Sequence, residues 1–219
     1  MRKARQSPWI AALVTVAALG NGCNIITPGA YILSGPPKAE AAYTLPPKKT
    51  VVVIDDTTNH MSRVAMRVEM GEAVAESLLE QDLVPEVIST RDAIAFMRRS
   101  DSAGNSMSIQ RIGEALGVDQ VVYVKVDQFS LVGSGIDRSP EAVALVKVID
   151  VTSGQRLWPS AGAEAVRGTL IDINPELIST SAGRRELEDK LARDTGEEVA
   201  KLFYSHERRE LGGRLGVKK

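Results

Sequence analysis

The run Val51-Val52-Val53-Ile54 constrains this chain more than any other feature. Four consecutive β-branched residues make a strand without polar alternation, and such a strand is stable only where both of its faces are covered. The chain must therefore supply helices to both sides of a sheet. The first comes directly downstream: Val64, Val68, Gly71, Val74, Ala75, Leu78 and Leu79 recur at helical spacing, while Arg63, Arg67, Glu72, Glu76 and Glu80 occupy other faces. Ser62 is the expected N-cap. Leu83 to Ile88 reads as a second strand, with Pro85 confining it to an edge or a late start. A short helix over Ala93–Arg99, a polar loop over Ser100–Ser106 and a helix through Ile109, Ile112 and Leu116 follow, the last closed by Gly117.

Beyond that point the pattern changes to strands. Val121 to Leu131 alternates Val122, Val124 and Val126 against Tyr123 and Phe129. Ala142 to Val151 is another strand, and Thr152-Ser153-Gly154-Gln155 turns it into Arg156-Leu157-Trp158. Ala163 to Leu170 is a further strand, and a helix over Glu186–His206 closes the order. The expectation is an α/β (mixed α+β) fold: one mixed sheet of about five to six strands, a βαβ start, antiparallel hairpins at the end, and helices packed on the sheet.

The N-terminus is of another character. Arg2, Lys3 and Arg5 precede an apolar run from Trp9 to Leu19, and no acidic residue occurs before Glu40. Such a segment is a secretory signal, and the run is shorter than the roughly 20 residues a membrane-spanning helix needs. The only cysteine, Cys23, follows in Leu19-Gly20-Asn21-Gly22-Cys23, which resembles the lipobox of bacterial lipoproteins, whose cysteine is diacylated. Cleavage by the ordinary signal peptidase after Gly20 or Gly22, leaving a free thiol, is the alternative. A single cysteine excludes an internal disulfide and any multi-cysteine zinc site. Asn24 to Lys49 carries five of the ten prolines and reads as a tether. The expected division is a signal peptide over 1–22, lipidated Cys23 with a Pro-rich tether over 23–49, the α/β domain over 50–206 and a flexible tail over 207–219.

Two segments add a resemblance. "IGEALGVDQVVYVKV" at 112–126 and "VKVIDVTSGQRLW" at 146–158 stand behind a first strand and long helix in a chain with a lipoprotein-like signal. Together they resemble the envelope lipoproteins of the curli-channel (CsgG-like) and penicillin-binding-protein-activator (LpoB-like) superfamily, and the N-terminal domain of TolB. The resemblance covers roughly residues 50–205. It implies a domain that binds other envelope components, with Asp150, Gly154 and Trp158 shaping a hairpin and no shared catalytic set.

Catalytic patterns are sparse. Asp55 and Asp56 end the first strand, where open α/β sheets place ligands, but adjacent residues on a strand point to opposite faces. His60 and His206 lie in no metal-ligand spacing, no Gly-x-Ser-x-Gly elbow occurs, and Gly133-Ser134-Gly135 lacks the spacing of a phosphate loop. Arg98-Arg99 and Arg184-Arg185 read as solvated basic pairs. The chain holds 27 Lys+Arg against 28 Asp+Glu; without residues 1–22 the balance is 24 against 28, which argues against nucleic acid as a partner.

The expected protein is thus non-enzymatic, exported and anchored by a lipid on Cys23, in the outer membrane facing the periplasm. It serves as an interaction or assembly module with an envelope protein partner, and a homo-oligomer is compatible with it. No catalytic residue, cofactor or metal is expected. Two alternatives stay open: an oligomeric component of an outer-membrane secretion apparatus, and a periplasmic metal-dependent hydrolase using Asp55 or Asp56.

Overall fold

The computed structural model describes residues 38–102, 108–132, 139–171 and 173–207. The signal segment, Cys23, the tether up to residue 37 and the tail from 208 lie outside the described residues, as do parts of the expected loops 100–106 and 132–140.

The strands are β1 (Lys38–Ala39), β2 (Thr50–Asp55), β3 (Val87–Ile88), β4 (Gln120–Ser130), β5 (Glu141–Asp150), β6 (Arg156–Trp158), β7 (Glu164–Thr169) and β8 (His206–Glu207). The helices are α1 (Val64–Glu80), α2 (Thr90–Ser102), α3 (Ile109–Leu116), α4 (Pro175–Ser179) and α5 (Ser181–Ala200), with a 3₁₀ turn at Lys201–Phe203. Residues Glu40–His206 form one compact unit. Its mixed sheet has the order β3-β2-β4-β5-β6, with β7 paired beside β6 on the same flank of β5. β2 is parallel to β3 and β4, and β4, β5, β6 and β7 are joined antiparallel.

Strand β2 meets the requirement set by its sequence. Val52 and Ile54 face α1 and α5, in a core with Met66, Met70, Val74, Leu78, Ala192, Val199 and Phe203. Val51 and Val53 face α2 and α3, with Ala93, Ile112 and Val118. All four strand residues are buried. On β5 the alternation is different: Ala142, Ala144, Val146 and Val148 are buried, whereas Val143, Leu145, Lys147 and Ile149 are half-buried. Helices thus cover both faces near β2 and mainly one face near β5.

Several boundaries differ from the sequence pattern. The second strand shrinks to Val87–Ile88, because Pro85 cannot donate to a ladder. α2 extends to Ser102, into the expected polar loop. α5 begins at Ser181, capped by Thr180 Oγ1 accepting from the Gly183 amide at 3.0 Å, and ends at Ala200 well before His206. α4 was not anticipated; Asn174 caps it by accepting from the Glu176 amide, and Pro175 stands at its first turn. The N-cap of α1 is Arg63, without a side-chain cap bond; the Ser62 hydroxyl turns to Met66 Sδ at 3.7 Å. Gly117 does close α3 in the left-handed conformation, φ 65°.

The last ten residues assigned to the tether belong to the domain. Leu45 is 5% exposed in the main core, Tyr43 stacks on Trp158 at 5.8 Å, and the Ala42 and Tyr43 amides donate to the Leu202 carbonyl. The segment is held by hydrophobic and backbone contacts together.

Candidate functional site

The C-terminal end of β2 opens into a cleft of about 320 Å³. Its walls come from three elements: Ile54, Asp55 and Asp56 from β2 and the turn after it, Arg67 from the first helical turn of α1, and Ile94, Met97 and Arg98 from α2. The cleft exists because β2 sends its chain into α1 on one face while α2 covers the other, which leaves the strand end between them.

Asp55 and Asp56 diverge as strand alternation requires. Asp55 lies on the face of Val51 and Val53, where the Tyr123 hydroxyl donates to its Oδ2 and the Thr57 amide to its Oδ1 at 3.0 Å. Burial first, then this bond, raises the Tyr123 hydroxyl above its ordinary pKa. Asp56 is 4% exposed and folds back on its own loop: Oδ1 accepts from the His60 amide at 2.7 Å and Oδ2 from the Met61 amide at 2.9 Å. Each carboxylate therefore already receives two donors from the protein. They organise the β2–α1 connection, and, among the described residues, no observation favours the metal-dependent hydrolase that the sequence left open.

Arg67 is the complementary case. Its Nε is buried and has no hydrogen-bond partner among the described residues. Sequence reading placed Arg67 on a polar face of the helix. A signal for something else was available: Arg67, Gly71, Val74 and Leu78 follow one another at i, i+4, i+7 and i+11, and the last three are buried. Arg67 thus stands at the head of an apolar stripe and not opposite it.

The other expected site residues stay apart. His60 is exposed on the loop after β2, and His206, in β8, places Nδ1 3.2 Å from the Tyr204 carbonyl. Among the described residues no group of three or more His, Cys, Asp or Glu could hold a metal ion, and no helix is long and apolar enough to cross a membrane. Asp150 does shape its hairpin: Oδ1 accepts from the Ser153 amide at 2.9 Å and the Ser153 hydroxyl at 2.8 Å, and Gly154 has φ 68°. A second cleft, of about 340 Å³, lies between α1 and α5 beside Glu76, Glu80, Glu197 and Tyr204. There Arg193 bridges the helices, reaching Glu69 at 2.9 Å and Glu76 at 3.0 Å.

The class defined by these elements is a mixed α/β domain with a six-stranded sheet, helices on it and a strand-end cleft. No family model matches the chain, and no curated protein matches it. The solved structures it is similar to include the PelC dodecamer from Paraburkholderia phytofirmans, at 12% identity and a TM-score of 0.42 over 77% of this chain and 97% of that one. Another is the lipoprotein GNA1162 from Neisseria meningitidis, at 17% identity and a TM-score of 0.42 over 64% and 98%. A third is the LpoB C-terminal domain from Salmonella enterica, at 12% identity and a TM-score of 0.36 over 59% and 87%. No residue role is carried over from any of them.

Proposed function

We propose that the protein is a non-enzymatic cell-envelope lipoprotein, held to the outer membrane by acyl chains on Cys23, whose α/β domain binds another envelope protein in the periplasm. The observation that carries this reading is the leader itself: three basic residues, an eleven-residue apolar run and small residues up to the only cysteine of the chain. Two or three acyl chains give firm anchoring, where one binds only marginally. The commitment of both strand-end carboxylates to backbone and tyrosine donors supports a binding role over hydrolysis.

The test is metabolic labelling with palmitate in cells expressing the wild-type chain or Cys23→Ala, followed by fractionation. Label on the wild type, its loss in Cys23→Ala and release of that variant from the membrane fraction are expected. Equal labelling of both chains sinks the anchor. Crosslinking in intact envelopes then asks whether one partner band depends on Cys23. A wild-type chain that forms no crosslink beyond itself counts against the partner.

A further inference from the structure

We propose that the uncovered face of the sheet around β5 binds a second copy of this chain, taking the exposed ridge of α1 of the neighbouring molecule. The inference depends neither on the acyl anchor nor on the envelope partner.

The accepting face follows from the strand register. Val143, Leu145, Lys147 and Ile149 of β5 lie on the side of the sheet away from α1 and α5, because Ala144, Val146 and Val148 take the side of the main core. Leu145 stands between Lys125 of β4 and Ala165 of β7, and Lys147 stands opposite Tyr123. Val143, Leu145 and Ile149 are half-buried, yet among the described residues no hydrophobic cluster includes them. The ammonium groups of Lys125 and Lys147 make no ion pair or hydrogen bond among the described residues. Two carboxylates of this face are already engaged: Asp55, opposite Lys125, by Tyr123 and Thr57, and Glu141 by Arg167 at 2.6 Å. Asp127 is set out of register by the bulge after Val126. An aliphatic stripe beside two free cations fits an apolar side chain flanked by carboxylates.

The outer side of α1 presents that arrangement. Leu79 is 42% exposed, and Glu76 and Glu80 beside it are exposed as well. Glu80 makes no ion pair among the described residues, and Glu76 shares Arg193 with Glu69. Residues four apart on a helix are about 5–6 Å apart at Cβ, and diagonal neighbours on paired strands, as Lys125 and Lys147 are, about 7–8 Å. The two pairs of charges therefore match in sign and nearly in spacing. A helix is also the element that closes a sheet face, and the layer of α2 and α3 over β2 does not continue over β5. Within one chain α1 packs on the other side of the sheet, so it cannot reach its own open face. The contact is heterologous, and each copy keeps a free ridge or a free face until a ring closes.

The experiment is sedimentation equilibrium of the full-length chain in density-matched non-ionic detergent. One helix on a sheet face is a contact of the weaker class, so association in the micromolar range is expected, decreasing with added salt. Lys125→Glu/Lys147→Glu and Glu76→Lys/Glu80→Lys should each weaken it by roughly tenfold or more, since like charges then face each other. An equimolar mixture of the two variants should associate again, because the reversed face of one meets the reversed ridge of the other. Urea unfolding of each variant alone confirms that both are folded. A wild-type chain that stays monomeric throughout the micromolar range overturns the assignment. So does undiminished association of either variant, as micelle contacts through the leader would give, or a mixture no more associated than its folded components.

Discussion

Lys48 Nζ lies 2.7 Å from Asp150 Oδ2, across 102 positions of sequence, and ties the segment before β2 to the end of β5. The Lys48 hydrogen bond, followed by those from the Ser153 amide and hydroxyl, lowers the Asp150 carboxyl from 3.8 to about 2. A carboxyl depressed in the folded state contributes stability above its unfolded pKa and loses it as pH falls through the folded one. Urea unfolding should therefore show stability falling from about pH 5 toward pH 2, with a smaller fall in Lys48→Met. The Lys48 side chain is 41% exposed, so added salt should narrow the difference between the two chains. Identical acid profiles would remove the pair from the stability of the domain.

Asp56 is predicted to be a structural residue of the β2–α1 loop. Asp56→Ala leaves the His60 and Met61 amides without their acceptor and should cost about 2 kcal/mol or more in urea unfolding. Asp56→Asn keeps one carbonyl acceptor and should cost less. Amide exchange gives the local readout: the Met61 amide should lose protection in Asp56→Ala ahead of the strand β2 amides. An alanine variant as stable as the wild type would refute this role.

The Tyr123 hydroxyl donates to the Asp55 carboxylate at the end of β2. Its raised pKa means the neutral phenol is favoured in the folded state, so its contribution is complete below the ordinary tyrosine value of about 10 and is lost at higher pH. Tyr123→Phe should lower stability by about 1–2 kcal/mol at neutral pH. In spectrophotometric titration of the folded chain it should abolish the highest-titrating tyrosine component. Retention of that component in Tyr123→Phe would assign it to another tyrosine.

Leu78 and Leu79 test the packing of α1 with two neighbours of one residue type. Leu78 is fully buried in the main core, while Leu79 is 42% exposed. Leu78→Ala should destabilise by about 2–5 kcal/mol, and Leu79→Ala by about 1 kcal/mol or less. Equal losses would mean that α1 is rotated on the sheet.

These two leucines also show what the sequence could and could not convey. The 3.6-residue period admits both to one apolar stripe, and only the partner surface, with Met66, Met70 and Val74 stacked toward the sheet, decides between them. Strand β2 was legible because four β-branched residues leave no alternative to double coverage. The β4–β5 pairing was legible because both strands alternate over ten or more residues and enclose a short connection. By contrast, β3 retains two residues, and its neighbours in the chain decide its length more than propensity does. Residues Glu40–Lys49 read as tether because prolines dominate their pattern, yet Leu45 and Tyr43 find tertiary partners that local composition does not encode. Arg67 was hidden for a related reason. A charge on a helix is normally solvated, and the buried, unpartnered Nε of Arg67 among the described residues emerges only from the packing around it.

Gly196 marks a close approach of α1 and α5. A Cβ placed there would stand 2.3 Å from the Met70 carbonyl oxygen and 2.9 Å from the Ala73 Cβ, distances at which something must shift. The obstacle is backbone of a helix packed on the core, so no side-chain rotation relieves it. The ion pairs of Arg63 with Glu188 and Asp189, and of Arg193 with Glu69 and Glu76, span the same two helices and, being partly solvated, resist their separation only weakly. Alanine raises helix propensity at this position by up to about 1 kcal/mol, which opposes the clash. The clash should win: Gly196→Ala is expected to lose about 1–3 kcal/mol in urea unfolding, with Arg193→Ala losing under about 1 kcal/mol. A more stable Gly196→Ala would show that α5 can lift from α1 without loss, and that the interface is looser than the distances at Met70 require.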